Sequence, residues 1–272
     1  MPGNAFYEHE MKQENYDAIK IEKHPNGVVV ATLNKPEKLN AVDPNMHLEV
    51  LALARDLDED PEAKVMVLTG AGRAFCAGGD FSPGQARFSG DRIWRQARQF
   101  FDDYLDCEKP IISAINGPAM GLGLMIALLA DVVYAARSAT MGDTHTQIGV
   151  GCGDGSQVIW PMVMGPYKAK YYLMTGETFS AETAEELGLV TFVVDDDELM
   201  DRAMELANRL AEGPSMAISA SKMALNKQIK AVANQVLPYS LLLQKFTLYN
   251  SEDAAEAMDA FRNKRQPQWK GK

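Results

Sequence analysis

Two glycine-bearing stretches hold the main-chain groups best suited to chemistry. The first, Cys76-Ala77-Gly78-Gly79-Asp80, follows an apolar run at 65–68; the second, Asn116-Gly117-Pro118-Ala119-Met120-Gly121-Leu122-Gly123, follows another at 110–115. Apolar runs of this length read as buried strands. Glycine after a strand lets the main chain approach a ligand closely. Free backbone N–H groups at such turns can hold an oxygen that gains negative charge. If the two strands lie parallel, one amide from each loop can point at a single oxygen. That suits a thioester or ketone that loses an α-proton or is attacked at its carbonyl. A dinucleotide-binding loop fits poorly, because Phe75 and Ile126 occupy the place of its third glycine.

A polar stretch after residue 139 supplies groups that can move protons: Asp143, His145 and, between Gly153 and Gly155, Asp154. A histidine acts as acid or base near neutral pH. Two carboxylates could serve it. In an extended segment Asp143 and His145 share a face, and Asp154 sits in a glycine turn. Spacing does not choose between them, and both aspartates could equally cap turns.

The elements that must position these groups can be read in order. Residues 1–15 read as a loose arm. Strands at 18–22 and 28–33 flank a His24-Pro25-Asn26-Gly27 turn. A helix opens at Asp43-Pro44, with Met46, Val50, Leu53 and Leu57 on one face. The unit of apolar strand, glycine loop and helix then occurs twice, about 45 residues apart. Such repetition predicts an α/β architecture with both glycine loops at the same end. Residues 139–155 read as irregular, and 156–172 as helix broken at Pro161 and Pro166. A last strand falls at 189–194. Beyond 197 the pattern is helical, at 198–211, 215–231 and 241–249, with Ser251 capping a fourth helix. Leu237, Leu241 and Leu242 lack an obvious partner in so short a tail, which points to another subunit.

A chain of 272 residues with a net charge of −10 can bury a sizeable core, and an anionic ligand would need a local basic pocket. The charge argues against nucleic acid, and no apolar run is long enough for a membrane span. Cys76, Cys107 and Cys152 stand at no metal-ligand spacing and read as reduced thiols of a cytoplasmic protein.

The blocks Asn40-Ala41-Val42, Phe75-Cys76-Ala77-Gly78-Gly79-Asp80, 116–123 and Gly153-Asp154-Gly155 occur in the order seen in the crotonase (enoyl-CoA hydratase/isomerase) superfamily, which the chain resembles over 19–269. The resemblance implies an α/β spiral of ββα units over 1–197, with a helical oligomerisation region at 198–272. It also implies a homotrimer or dimer of trimers. The amides of Gly79 and Leu122 would form an oxyanion hole for an acyl-CoA, the coenzyme A being part of the substrate and no separate cofactor being needed. Ala41, Ala77, Asp80, Phe81 and Met125 would touch substrate, Met125 as an apolar wall. Lys35, Lys38 and Arg73 are candidate cations for its phosphates. Lys264 and Arg265 are others, resembling the family's C-terminal Phe-x-x-Lys-Arg pattern. Ser82 stands where many members carry lysine.

The family's hydratases use two glutamates, and the matching positions here are Met125 and His145. Neither glutamate of simple hydration is therefore present. A smaller branch cleaves cyclic β-diketones without CoA; this chain is similar in His47, His145, Asp154 and the 153–161 run, but has Leu122 where that branch has histidine. Three readings follow: a thioester enzyme whose proton is moved by Asp143, His145 or Asp154; a β-diketone hydrolase in which His145, oriented by Asp154, activates water; and an idle scaffold.

Overall fold

Strands β1 (Ile19–Lys23) and β2 (Val28–Leu33) form the expected antiparallel hairpin, with Ile21 opposite Ala31. The computed structural model describes residues 11–80 and 92–272. The stretch at 11–15 is not loose: Met11 is buried and its amide donates to Asp60 Oδ2 at 2.7 Å.

Each later unit repeats one plan. After β2 come Val42 and helix α1 (Pro44–Glu59); after β3 (Val65–Gly70) come the Cys76–Gly79 loop and α2 (Arg92–Asp106). Then β4 (Ile111–Ile115) leads to β5 (Ala119–Met120) and α3 (Leu122–Leu128). Next, β6 (Val132–Ala136) leads to β7 (Thr140–Gly142), a 3-10 turn at His145–Ile148 and α4 (Ser156–Met164). The chain continues through α5 (Pro166–Thr175), β8 (Phe179–Ser180), α6 (Ala181–Glu186), β9 (Phe192–Val194), α7 (Leu199–Ala211), α8 (Ser215–Asn250) and α9 (Glu252–Arg262).

Six strands form one sheet in the order β1-β2-β3-β4-β6-β9, parallel from β2 onward, and β5, β7 and β8 form another. Single bridges Val42–Gly79 and Cys76–Ala119 carry the second pairing back into the earlier units. Each turn of the chain thus lays one strand in the first sheet, a short extended piece in the second, then a helix. This is a ββα spiral. Because β3 and β4 are parallel, with Thr69 opposite Ala114, both glycine loops leave the sheet at the same end. Every residue of β3 and β4 is buried, as strands covered on both faces must be.

Two side-chain amides, Asn40 buried and Asn116 half-buried, hold the loops in place. Asn40 donates to the carbonyls of Ala71 at 2.9 Å, Ala74 at 2.8 Å and Phe75 at 3.2 Å, and accepts from the Lys35 amide at 2.9 Å. Asn116 accepts from the Gly70 amide at 3.1 Å and donates to the Gly72 carbonyl at 2.9 Å, which ties the two glycine loops together. Asn40 also sits at φ +55°, a conformation asparagine tolerates better than most residues. Asn40→Ala leaves buried carbonyls unsatisfied and strains that backbone. We expect a stability loss of about 2–4 kcal/mol, read as a lower urea midpoint at unchanged slope.

The helical segments depart from the sequence reading in three ways. Pro161 stays inside α4, while the break expected at Pro166 is present, with Pro166 opening α5 after Gly165 at φ +79°. Residues 215–250 form one helix through Pro238 rather than two, because α8 is held along its length by α2 and α4. Lys222 pairs with Asp131 at 2.9 Å, and Asn226 donates to the Leu105 carbonyl at 3.0 Å. These contacts offset the backbone bond that proline removes. Third, Leu237 and Leu241 are buried within their own chain, while Leu242 is exposed. Among the described residues no helix is long and apolar enough to cross a membrane.

Candidate active site

Both glycine loops open onto one cavity. Its wall includes Ala77, Gly79, Leu122, His145, Asp154 and Gln244, with Phe100, Ile148, Val150, Leu241 and Leu248 as the apolar part. Around Gly79 the neighbouring amides are engaged: Ala77 N–H donates to Leu39 O at 3.0 Å and Asp80 N–H to Val42 O at 2.9 Å. In the second loop Met120 N–H donates to Cys76 O at 3.0 Å and Gly121 N–H to Gly142 O at 2.9 Å. Among the described residues the N–H groups of Gly79 and Leu122 have no acceptor. Leu122 opens α3, so its amide is one of those that a helix leaves unpaired. Gly121 before it has φ +49° and ψ −120°, and the His145 ring lies 3.4 Å from where a Cβ at that glycine would stand. Glycine here allows both the turn and the close imidazole.

His145 stands between the two carboxylates that spacing left open. Its Nδ1 is 2.5 Å from Asp143 Oδ1, and its Nε2 is 3.3 Å from Asp154 Oδ2. Asp143 is wholly buried, and its other oxygen accepts from the Ser156 hydroxyl. Asp154 lies on the cavity wall; Asp143 lies behind the imidazole. Burial acts to push the His145 pKa down, but the charges of Asp154 and Asp143 and their hydrogen bonds hold it well above 6.5. Burial likewise acts to raise Asp143, but the imidazolium and the bonds from His145 and Ser156 hold it at about 2. The resting site is therefore an imidazolium between two carboxylates.

These shifts set a stability profile. The raised His145 contributes stability that is complete below its unfolded value of 6.5 and is lost as pH rises through the higher folded value. The lowered Asp143 contributes stability present above its unfolded value of 3.8 and lost as pH falls through about 2. The thermal midpoint is expected to decline on both sides of a pH 4–6.5 plateau, and His145→Gln is expected to flatten both limbs.

The glycines flanking Asp154 make room for distant side chains. A Cβ at Gly153 would lie 2.5 Å from Gln244 of α8, and one at Gly155, where φ is +110°, would lie 2.0 Å from Phe101 of α2. The loop is also tied to α8 by the Gly151 amide, which donates to Thr247 Oγ1 at 2.9 Å. Asp154 is thus aimed by packing from both sides. His47, on α1, lies on the same wall; burial lowers its pKa against the pull of Asp154, leaving it neutral near pH 7.

The other expected residues are placed differently. Met125 is fully buried beside Gly155 as part of the core, off the cavity wall. Asp80 pairs with Lys38 at 2.9 Å and Lys35 pairs with Asp43, the residue whose side chain caps α1. Ala41 is half-buried in the loop leading to that cap, off the cavity wall, and Arg73 is exposed. Arg265 bonds to Glu256 and Asp259 of α9, and Lys264 is exposed beside it; neither lies on the cavity wall. Phe81 and Ser82 lie outside the described residues. The side chains of Asp143, His145 and Cys152 come within 4.8 Å of one another. Sequence reasoning missed Gln244, Ser156 and Phe101. The small residues Gly153 and Gly155 were the signal that something large packs against them.

Residues 23–272 match the family model for enoyl-CoA hydratase/isomerase. The chain belongs to the enoyl-CoA hydratase/isomerase family. Within this family it is 34% identical over 252 residues to a 1,2-epoxyphenylacetyl-CoA isomerase of Escherichia coli, covering 90% of this chain and 96% of that protein. It is 31% identical to a short-chain-enoyl-CoA hydratase of Clostridium acetobutylicum, over 88% of this chain and 92% of that one. The crystal structure of an enoyl-CoA hydratase/isomerase from Mycobacterium paratuberculosis superposes with a TM-score of 0.83 at 34% identity, over 89% of this chain and 97% of that chain. The crotonase fold of this enzyme family and the spiral described above are the same architecture.

Proposed function

We propose that the protein isomerises an acyl-CoA through an enolate, with Asp154 carrying the proton and the amides of Gly79 and Leu122 holding the thioester oxygen. The observation that carries this reading is a carboxylate on the same cavity wall as two amides that have no acceptor among the described residues, with His145 Nε2 3.3 Å from that carboxylate. Asp154 takes the α-proton, and the C–H electron pair moves into the carbon–carbon bond of the enolate. The thioester oxygen gains the charge, and two N–H groups stabilise it more strongly than they do the neutral carbonyl. Return of the same proton at the γ-carbon of a 3-enoyl-CoA completes an isomerisation. One carboxylate suffices for this cycle. Hydration needs a second group to handle water, and Met125 stands at that position, buried off the cavity wall. His145, as a cation, steadies the Asp154 carboxylate rather than acting as base.

The cavity, of about 180 Å³, has room for a compact acyl group. Exposed apolar side chains on α5 and α8, such as Tyr167, Met174 and Phe246, support assembly into a homotrimer or dimer of trimers. The test is deuterium exchange at the α-carbon of phenylacetyl-CoA in D2O, followed by mass spectrometry, with conversion of 3-hexenoyl-CoA to the 2-enoyl isomer measured alongside. Exchange no faster than in buffer alone, with the fold intact, sinks the reading.

The 3.3 Å contact between His145 Nε2 and Asp154 also suits a second reading, hydrolysis of a cyclic β-diketone without CoA. There His145 would have to release its proton to activate water, and the two flanking carboxylates oppose that. Turnover of a cyclic diketone, lost in His145→Ala, would favour this alternative.

A further inference from the structure

Gln244 reaches the site from α8, 90 residues after Asp154 in the chain. Its Nε2 lies 2.8 Å from Asp154 Oδ1 and 3.3 Å from His145 Nε2, while His145 Nε2 lies 3.3 Å from Asp154 Oδ2. With His145 protonated, the two nitrogens are both donors, and the acceptor they have in common is the Asp154 carboxylate. Turning the amide over would set its oxygen against a carboxylate oxygen, so the carboxylate itself selects the donating orientation. One donor takes each oxygen, which stops rotation about the Cβ–Cγ bond of Asp154. Gly153 makes the approach possible, since a Cβ there would lie 2.5 Å from both the Cβ and Oε1 of Gln244.

We propose that Gln244 is a positioning residue that, with His145, fixes the Asp154 carboxylate in the orientation for proton transfer. This rests on the reading of Asp154 given above. It also makes α8 part of the active site of its own chain, so the helical C-terminal region does more than assemble subunits.

The test uses α-proton exchange into phenylacetyl-CoA. Gln244→Met keeps the length and the packing on Gly153 but removes the donor. Its kcat is expected to fall about 10- to 100-fold with KM changed less than about threefold, and with a thermal midpoint within about 3 °C of the native protein. Gln244→Glu sets two carboxyls side by side; at pH 8 both are charged and repel, and on acidification a shared proton restores the donor. Its activity relative to the native enzyme is therefore expected to recover between pH 8 and pH 5. The other titratable groups on the cavity wall, among the described residues, are His145 of the 3-10 turn with Asp143 behind it, His47 of α1, and Lys245 and Tyr249 of α8. They are common to both enzymes, so the ratio isolates position 244.

A Gln244→Met variant with kcat within twofold of native overturns the proposal. So does a loss confined to KM, or a Gln244→Glu deficit equal at both pH values. Asp154→Asn measured in parallel separates the two ideas: full activity there removes the Asp154 reading itself. An inactive Asp154→Asn beside a fully active Gln244→Met removes only the positioning role.

Discussion

Asp154→Asn is expected to lower kcat for α-proton exchange by a factor of about 10²–10⁴, the usual contribution of a placed general base. The substitution keeps the side-chain volume, so the packing of Phe101 and Gln244 around the Gly153-Asp154-Gly155 turn is retained. The amide oxygen can still accept from Gln244 Nε2. Its NH₂ then faces His145 Nε2, donor against donor, and the imidazolium loses one of its two carboxylates. Two results are therefore expected together: the loss in kcat with KM within about threefold, and an earlier deprotonation of His145 as pH rises, followed by ¹⁵N NMR of labelled histidine. The factor corresponds to about 3–5.5 kcal/mol of transition-state stabilisation. An Asp154→Asn variant that keeps a tenth or more of native activity would assign the proton to another group.

Leu122→Pro is expected to reduce kcat by about 10²–10³, the loss found when one oxyanion donor is removed. Proline deletes the N–H, and in most of a helix it would also break the fold. Leu122 is the first residue of α3, where the N–H has no intrahelical acceptor and proline's fixed φ is accepted. The preceding residue is Gly121, which has no Cβ to meet the proline ring. Leu122→Ala changes the side chain but keeps the donor, and is expected to lose less than about tenfold. A Leu122→Pro protein that folds, by circular dichroism, and loses no more activity than Leu122→Ala would remove this amide from the oxyanion hole.

The parts of the fold readable in the sequence are those with local causes. The His24–Gly27 hairpin, the Asp43 cap followed by Pro44, and the two buried strands ending in glycine loops each depend on neighbours within a few residues. The structure forms all of them. The helix breaks expected at Pro161 and between residues 231 and 241 are absent for the opposite reason. Pro161 carries a local cost that burial of α4 against other elements outweighs, and the helix at 215–250 runs on because α2 and α4 hold it, contacts not visible from the residues nearby. In the same way, Leu237 and Leu241 seemed to need another subunit because the elements that cover them are distant in sequence.

The site divides along the same line. From the sequence alone came the residue types: two glycine loops, a histidine and two aspartates, set on an α/β frame that repeats. Those follow from backbone geometry and from chemistry intrinsic to each side chain. The tertiary structure alone decided their order. Asp143 went behind the imidazole, Asp154 in front of it, and Met125 into the core, off the cavity wall. That arrangement depends on α2 and α8 pressing Phe101 and Gln244 into the spaces left by Gly155 and Gly153, and on two carboxylates closing around one imidazolium. Close packing and Coulomb interaction act through space, and spacing along a chain does not record which distant groups will meet.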